Sequence, residues 1–192
     1  MRTRSIAVFC GSAHGADPRH AERAREVGRD IARRGWSLVY GGGRVGLMGE
    51  VADAALAAGA PVYGVITRFL YEWEVGHDGL TDLEIVDTLT ERKLRMGELA
   101  DGFLVLPGGI GTMDELFDSL TLRQTQRMQP IPIVLFGREY WDQVIDFEFL
   151  ANEGVIRDEH LALIEYAETP QQAWDVICRF HQMKRVAAES LS

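Results

Sequence analysis

The residues best able to do chemistry sit in glycine-bearing loops and on the helices beside them. Residues 107–112, Pro107-Gly108-Gly109-Ile110-Gly111-Thr112, put three glycines between an apolar run and a helix-forming segment. Such glycines let main-chain N–H groups converge on an oxyanion, and the amino end of the next helix adds its dipole. Phosphate is the natural guest; the alternative is a turn needed only for packing. No Lys-Ser or Lys-Thr follows the last glycine, so the loop is not the phosphate loop of a nucleoside triphosphatase. A second loop, Gly41-Gly42-Gly43-Arg44-Val45-Gly46, matches the Gly-x-Gly-x-x-Gly spacing of dinucleotide sites and lies between a strand and a helix. An NAD site also expects an acidic residue about 20 positions further on, and residues 61–67 hold none. Backbone approach to some other nucleotide, or simple tight packing, remains. Gly11-Ser12 forms a third such loop.

Two charged side chains are further candidates. Thr112-Met113-Asp114-Glu115 has the capping-box pattern, in which the glutamate reaches back to the cap's own N–H. The functional alternative is a carboxylate one turn beyond a phosphate cradle, near the sugar carbon of a bound nucleotide. Held ionised by the helix amino end, it would stabilise an oxocarbenium ion or orient a water. Asp114 faces elsewhere and complements the dipole. In Glu91-Arg92-Lys93-Leu94-Arg95 the helix is expected to bury Leu89, Met96 and Leu99, with Glu91 and Arg95 paired at i,i+4. Arg92 then lies at the edge of the buried side, where its guanidinium either enters a cleft or snorkels to solvent. Met48 and Met113 are expected to fill core on their helices. The five histidines are scattered, and neither HExxH nor GxSxG occurs, so no metal site and no serine hydrolase is expected.

These loops need a frame. Short apolar runs alternate with segments of helical spacing, each changeover marked by glycine or proline. Strands are expected at 5–10, 36–40, 61–66, 83–86, 102–106, 131–136 and 163–167. Helices are expected at 18–34, 46–58, 89–100, 112–126, 140–152 and 170–184. Residues 67–81 read as a loop or short helix covering a site. This is an α/β pattern: a mostly parallel sheet with helices on both faces and ligands at the carboxyl ends of the strands. The chain of 192 residues is expected to form one domain over 1–192, with 184–192 a frayed tail. Net charge is −9, which repels nucleic acid polymers and anionic membranes, and no apolar run is long enough to cross a bilayer. Cys10 and Cys178 are far apart and are expected to be buried thiols in a reducing cytoplasm.

Taken together, Tyr40-Gly41-Gly42-Gly43-Arg44-Val45-Gly46-Leu47-Met48-Gly49, the Arg92-Lys93 pair and the Pro107 to Glu115 motif resemble the LOG family. These are cytokinin riboside 5′-monophosphate phosphoribohydrolases, long mislabelled as lysine decarboxylases. The resemblance spans about residues 6–156. It implies a Rossmann-like fold, a homodimer with sites near the interface, and hydrolysis of the N-glycosidic bond of an adenine nucleoside monophosphate without a cofactor. Glu115 matches the family's catalytic glutamate and Arg92 its catalytic arginine. The candidate substrate-binding set is Gly42, Gly43, Met48, Glu74, Lys93, Gly108, Gly109, Ile110, Gly111, Thr112, Asp114 and Thr121. Leu89-Thr90 stands where the plant pattern has Met-His, and Thr121-Leu122-Arg123-Gln124 where it has Thr-Trp-Ala-Gln. Residues 131–141 are similar to a bacterial branch. A prenylated adenine nucleotide and plain AMP are both left open as substrates. A pyridoxal phosphate decarboxylase would need a lysine for its Schiff base, and only Lys93 and Lys184 exist, neither suitably placed. The other alternative is a carrier without turnover, like the molybdenum-cofactor carriers that resemble this family; the presence of both Glu115 and Arg92 speaks against it.

Overall fold

The computed structural model describes residues 4–74 and 76–189, with the side chains of 74 and 187–189 outside that description. In chain order the elements are β1 Ser5–Phe9, α1 Arg19–Arg33, β2 Ser37–Tyr40, α2 Gly46–Ala57, β3 Val62–Thr67, α3 Arg68–Glu74, β4 Asp82–Val86 and α4 Leu89–Leu99. There follow β5 Phe103–Val105, α5 Ile110–Gln124, β6 Ile133–Phe136, α6 Arg138–Val144, α7 Phe147–Asn152, a 3-10 turn at Asp158–Leu163, β7 Glu165–Ala167 and α8 Pro170–Glu189. The strands form one seven-stranded sheet in the order β4-β3-β2-β1-β5-β6-β7. Every pairing in it is parallel.

The inner strands do not alternate because both of their faces are covered. Ile6 and Val8 pack with Val27 and Ile31 of α1, Val51 of α2 and Trp174 of α8. Ala7 and Phe9 point the other way, to Met96 of α4, Leu116 of α5 and Trp141 of α6. From β1 the chain steps outward to β4 and then returns to β5 on the other side of β1. That reversal parts the loops after β1 and β5 and opens a crevice at the carboxyl edge of the sheet.

Several expectations on local structure need correction. One helix was expected over residues 140–152, but α6 ends at Val144 and α7 begins after Asp146, whose carboxylate accepts the Phe149 N–H at 2.8 Å. The apolar spacing runs through this break because both short helices rest on the same core. The expected Glu91–Arg95 pair is absent. Glu91 instead closes a capping box with Thr88, while Arg95 binds Glu84 and Glu98. Leu89 is 42% exposed rather than core, and Cys178 is half-buried. The last helix runs on to Glu189 rather than stopping at 184.

The tightest helix contact is between α1 and α2, where a Cβ on Gly28 would lie 2.4 Å from the Val51 carbonyl oxygen and 2.9 Å from the Ala55 nitrogen. Neither backbone atom can move without shifting a helix. Gly28→Ala is therefore expected to destabilise the protein by about 2 kcal/mol, against the roughly 1 kcal/mol that alanine gains in a helix. A urea titration measures it as a lowered midpoint at unchanged slope.

Candidate active site

The carboxyl ends of β1 and β2 and the loop after β5 enclose a cavity of about 320 Å³. Val8, Cys10, Gly11 and Ser12 come from β1 and its loop, Gly41 follows β2, and Met48 comes from α2. Phe69 and Leu70 of α3 cover one side, as a cover was expected from residues 67–81. Leu89, Arg92 and Lys93 belong to α4; Gly109, Ile110, Gly111, Thr112, Asp114 and Glu115 complete the lining.

Arg92 enters the cavity because the first turn of α4 is fixed in phase. The Thr88 hydroxyl accepts the Glu91 N–H, and the Glu91 carboxylate accepts the Thr88 and Asp87 N–H groups, each at 3.1 Å. Arg92 is 8% exposed. Its Nε donates to the Val65 carbonyl at 2.9 Å, Nη1 to Glu115 Oε1 at 3.0 Å and Nη2 to the Gly41 carbonyl at 3.3 Å. A Cβ on residue 41 would sit 2.0 Å from Nη2, so the guanidinium excludes any side chain there.

Glu115 is 7% exposed. Burial raises its pKa to about 7, against the pull of Arg92. This corrects the expectation of a carboxylate held ionised by the helix dipole. Helix α5 begins at Ile110, with Gly109 as N-cap, two residues earlier than expected. Glu115 thus lies in the second turn, beyond the reach of the dipole, and the Thr112–Glu115 capping box does not form. Next to it, burial would lower the pKa of Lys93, but Asp114 and Asp118 at 3.0 and 3.4 Å outweigh that and raise it. Asp114 therefore faces the cavity and pairs with Lys93 rather than serving only the dipole. The Cys10 thiol is pushed far up by burial and by Glu115, so it is present as the inert neutral form.

The two glycine loops end differently. At α2 the amino end is filled: the Leu47 N–H donates to the Gly11 carbonyl at 3.0 Å, and a Cβ on Gly46 would meet Ser12 carbon at 2.3 Å. The dinucleotide spacing there serves packing. At α5 no side chain caps the amino end, and its first turn opens on the cavity. Of the expected substrate-binding residues, Met48, Lys93, Gly109, Ile110, Gly111, Thr112 and Asp114 line it. Gly42 and Gly43 do not; they are tied to His77 and Gly76 and shape the loop behind Gly41. Gly108 sits behind the cradle, and Thr121 is exposed, its hydroxyl donating to the Phe117 carbonyl. The side chain of Glu74 lies outside the described residues. Residue patterns gave no hint of Cys10 as lining, Phe69 and Leu70 were reached only through the segment 67–81 that contains them, and Ser12 was flagged only by its loop.

A doubly wound parallel sheet with a helix end that no side chain caps and a buried carboxylate at its switch point defines an α/β protein with a crevice at the carboxyl edge of its sheet. Residues 48–177 match the family model described as "Possible lysine decarboxylase". The chain is 42% identical over 155 residues to the cytokinin riboside 5′-monophosphate phosphoribohydrolase of Rhodococcoides fascians, covering 80% of this chain and 78% of that one. It is 36% identical over 173 residues to the rice cytokinin riboside 5′-monophosphate phosphoribohydrolase LOG (Oryza sativa subsp. japonica), covering 89% and 71%. The chain therefore belongs to this family, the LOG family. Among solved structures, the molybdenum cofactor binding protein of Rippkaea orientalis superposes with a TM-score of 0.71 over 94% of this chain and 98% of that one, at 21% identity. That likeness shows the shared fold.

Removing Arg92 would leave a buried carboxylate without its counter-charge and drive its pKa higher still. Arg92→Met is expected to cost about 3 kcal/mol. The loss should grow between pH 6 and pH 8, because the unfolded chain ionises Glu115 freely while the folded one resists. Thermal melts at the two pH values check the sign.

Proposed function

We propose that this chain hydrolyses the N-glycosidic bond of an adenine-type nucleoside 5′-monophosphate, releasing the free base and ribose 5-phosphate. The observation that carries this is the meeting of an uncapped helix end and a buried, guanidinium-held carboxylate in one cavity. The relatives named above support it by their own activity.

In this reading the N–H groups of the α5 amino end hold the 5′-phosphate, and that anchor sets the sugar carbon C1′ against Glu115. As the C1′–N bond breaks, its electron pair leaves with the base and positive charge spreads over C1′ and the ring oxygen. Glu115 as carboxylate stabilises that charge. Water then bonds C1′ and its proton goes to the departing base, so one water adds across the bond. Arg92 fixes the carboxylate and orients the ribose or the water. Phe69, Leu70, Met48 and Leu89 give the base an apolar surround; both plain and prenylated adenine fit that chemistry. Phe69, Leu89 and Ile110 are also 51%, 42% and 91% exposed at the cavity, which supports a homodimer in which a second copy closes over the mouth. Sedimentation at twice the mass of 21.5 kDa is the expected result. A decarboxylase reading finds no support in the lysines: Lys93 is held protonated by two carboxylates, and Lys184 lies at the exterior against the Pro130 carbonyl.

AMP incubated with the protein is expected to release adenine, with adenosine slower by about 100-fold or more, since phosphate binding energy positions the reacting carbon. Equal rates on the two would overturn the anchoring role. Glu115→Gln keeps an acceptor for Arg92 but no negative charge. It is expected to melt within a few degrees of the parent and to lose about 100-fold or more in rate. Because the ionised carboxylate is the working form, kcat/KM should rise with pH through about 7 and then level off. A profile that falls over that range would assign Glu115 the opposite proton role.

A further inference from the structure

Two glycines in succession, Gly108 and Gly109, flank the peptide plane that leads into α5. With no Cβ on either side, that plane is free to flip. One orientation presents the Gly109 N–H to an anion in the cavity, and the other presents the Gly108 carbonyl, which repels it. A side chain at 108 cannot stiffen the loop: its Cβ would lie 2.1 Å from Thr112 Oγ1 and 2.8 Å from the Gly11 nitrogen. The restraint has to come from elsewhere in the fold.

Tyr140 supplies it. Its hydroxyl donates to the Gly108 carbonyl at 2.7 Å across 32 positions of sequence. The ring is itself held, edge-on to Trp141 at 5.2 Å and to His20 at 5.9 Å. Trp141 is fully buried and donates its Nε1–H to the Phe136 carbonyl at 3.2 Å. Gly137, at φ 90°, starts α6 and is bonded to the Ala167 carbonyl at 2.8 Å. So the hydroxyl stands on a rigid mount outside the cavity, whose lining includes Gly109 but not Tyr140. In a trans peptide the C=O and the following N–H point in opposite directions. Holding the Gly108 carbonyl toward Tyr140 therefore turns the Gly109 N–H the other way, and that N–H has no acceptor among the described residues.

We infer that Tyr140 is a positioning residue for the phosphate cradle: it touches no substrate, but selects the peptide orientation in which the loop accepts an anion. The inference rests on the phosphate-anchored hydrolysis proposed above. It assigns to α6, outside the motif loops, a share in recognising the 5′-phosphate rather than the base.

Tyr140→Phe keeps the ring packing and removes only the hydroxyl. Ribose 5-phosphate affinity, read by calorimetry, is expected to fall about five- to tenfold, the weight of one hydrogen bond. The KM for AMP should rise by a similar factor with kcat changed less than twofold, and the residual rate on adenosine should stay as in the parent. Equal losses on AMP and adenosine would mean that the hydroxyl only supports the fold, and an unchanged ribose 5-phosphate affinity would also overturn the inference. The two ideas fail separately. If the parent protein binds ribose 5-phosphate yet frees no base, the hydrolase reading falls, while the calorimetric comparison still decides the role of Tyr140.

Discussion

A guanidinium and a carboxylate buried together face a desolvation cost of several kcal/mol each, and their mutual attraction offsets it only where every remaining donor finds a partner. Arg92 and Glu115 approach that condition: each guanidinium nitrogen has a partner, two of them main-chain carbonyls. Val65 in the carboxyl half of β3 offers one accepting oxygen, and Gly41 supplies another just past the end of the neighbouring strand. Residue 41 must be glycine for the guanidinium to fit, and α4 must start at Leu89 for Arg92 to face inward. The ion pair thus ties together the ends of β2 and β3 and the helices α4 and α5. Burial leaves Glu115 titrating near neutrality rather than firmly ionised.

The sheet explains why this pair lies where a ligand can reach it. Strand β1 is central, with apolar layers on both sides, and the chain reverses direction across it. The loops after β1 and β5 diverge there, and α5 starts at the gap with its amino end toward the sheet edge. Its dipole and free N–H groups are then aimed at the space that Arg92 and Glu115 border.

Much of this was legible in the residues. Uninterrupted apolar runs could only be strands covered on both faces, and glycine marked nearly every end, so element order and layer type followed. Glu115 stood out one turn beyond a glycine loop and Arg92 at the edge of the buried side of its helix, whereas the details that failed were set by long-range contacts. Thr112 has the composition of a cap, but the chain turns into helix at Gly109 because the loop is wedged against Gly11, and that displaced Glu115 from the cap into the cavity. Asp146 looks like a helix interior residue until its carboxylate is seen capping a new helix. Leu89 has core spacing, yet the space above it is the cavity mouth. Phe69 and Leu70 lie in a stretch without periodicity; its apolar residues marked it as a cover, but which of them line the site is set by the fold.

The contrast between the two glycine loops carries the argument furthest. Both have glycines at spacings that permit close approach, both join a strand to a helix, and pattern alone leaves packing open as the role of either. Close approach, however, says nothing about what approaches. At Gly46 the neighbour is the protein itself, because the Gly11 carbonyl already takes the Leu47 N–H, the second of α2, and Ser12 and Ala13 fill the volume. At Gly109 the same kind of opening is left without a cap. Its backbone is steadied from behind by Tyr140 and its front is bordered by Lys93, Arg92 and an apolar rim. The first opening is filled by the protein itself, and the second faces the cavity. What separates a binding loop from a packing loop here is the occupancy of the helix end, a property of the tertiary fold that glycine spacing does not encode.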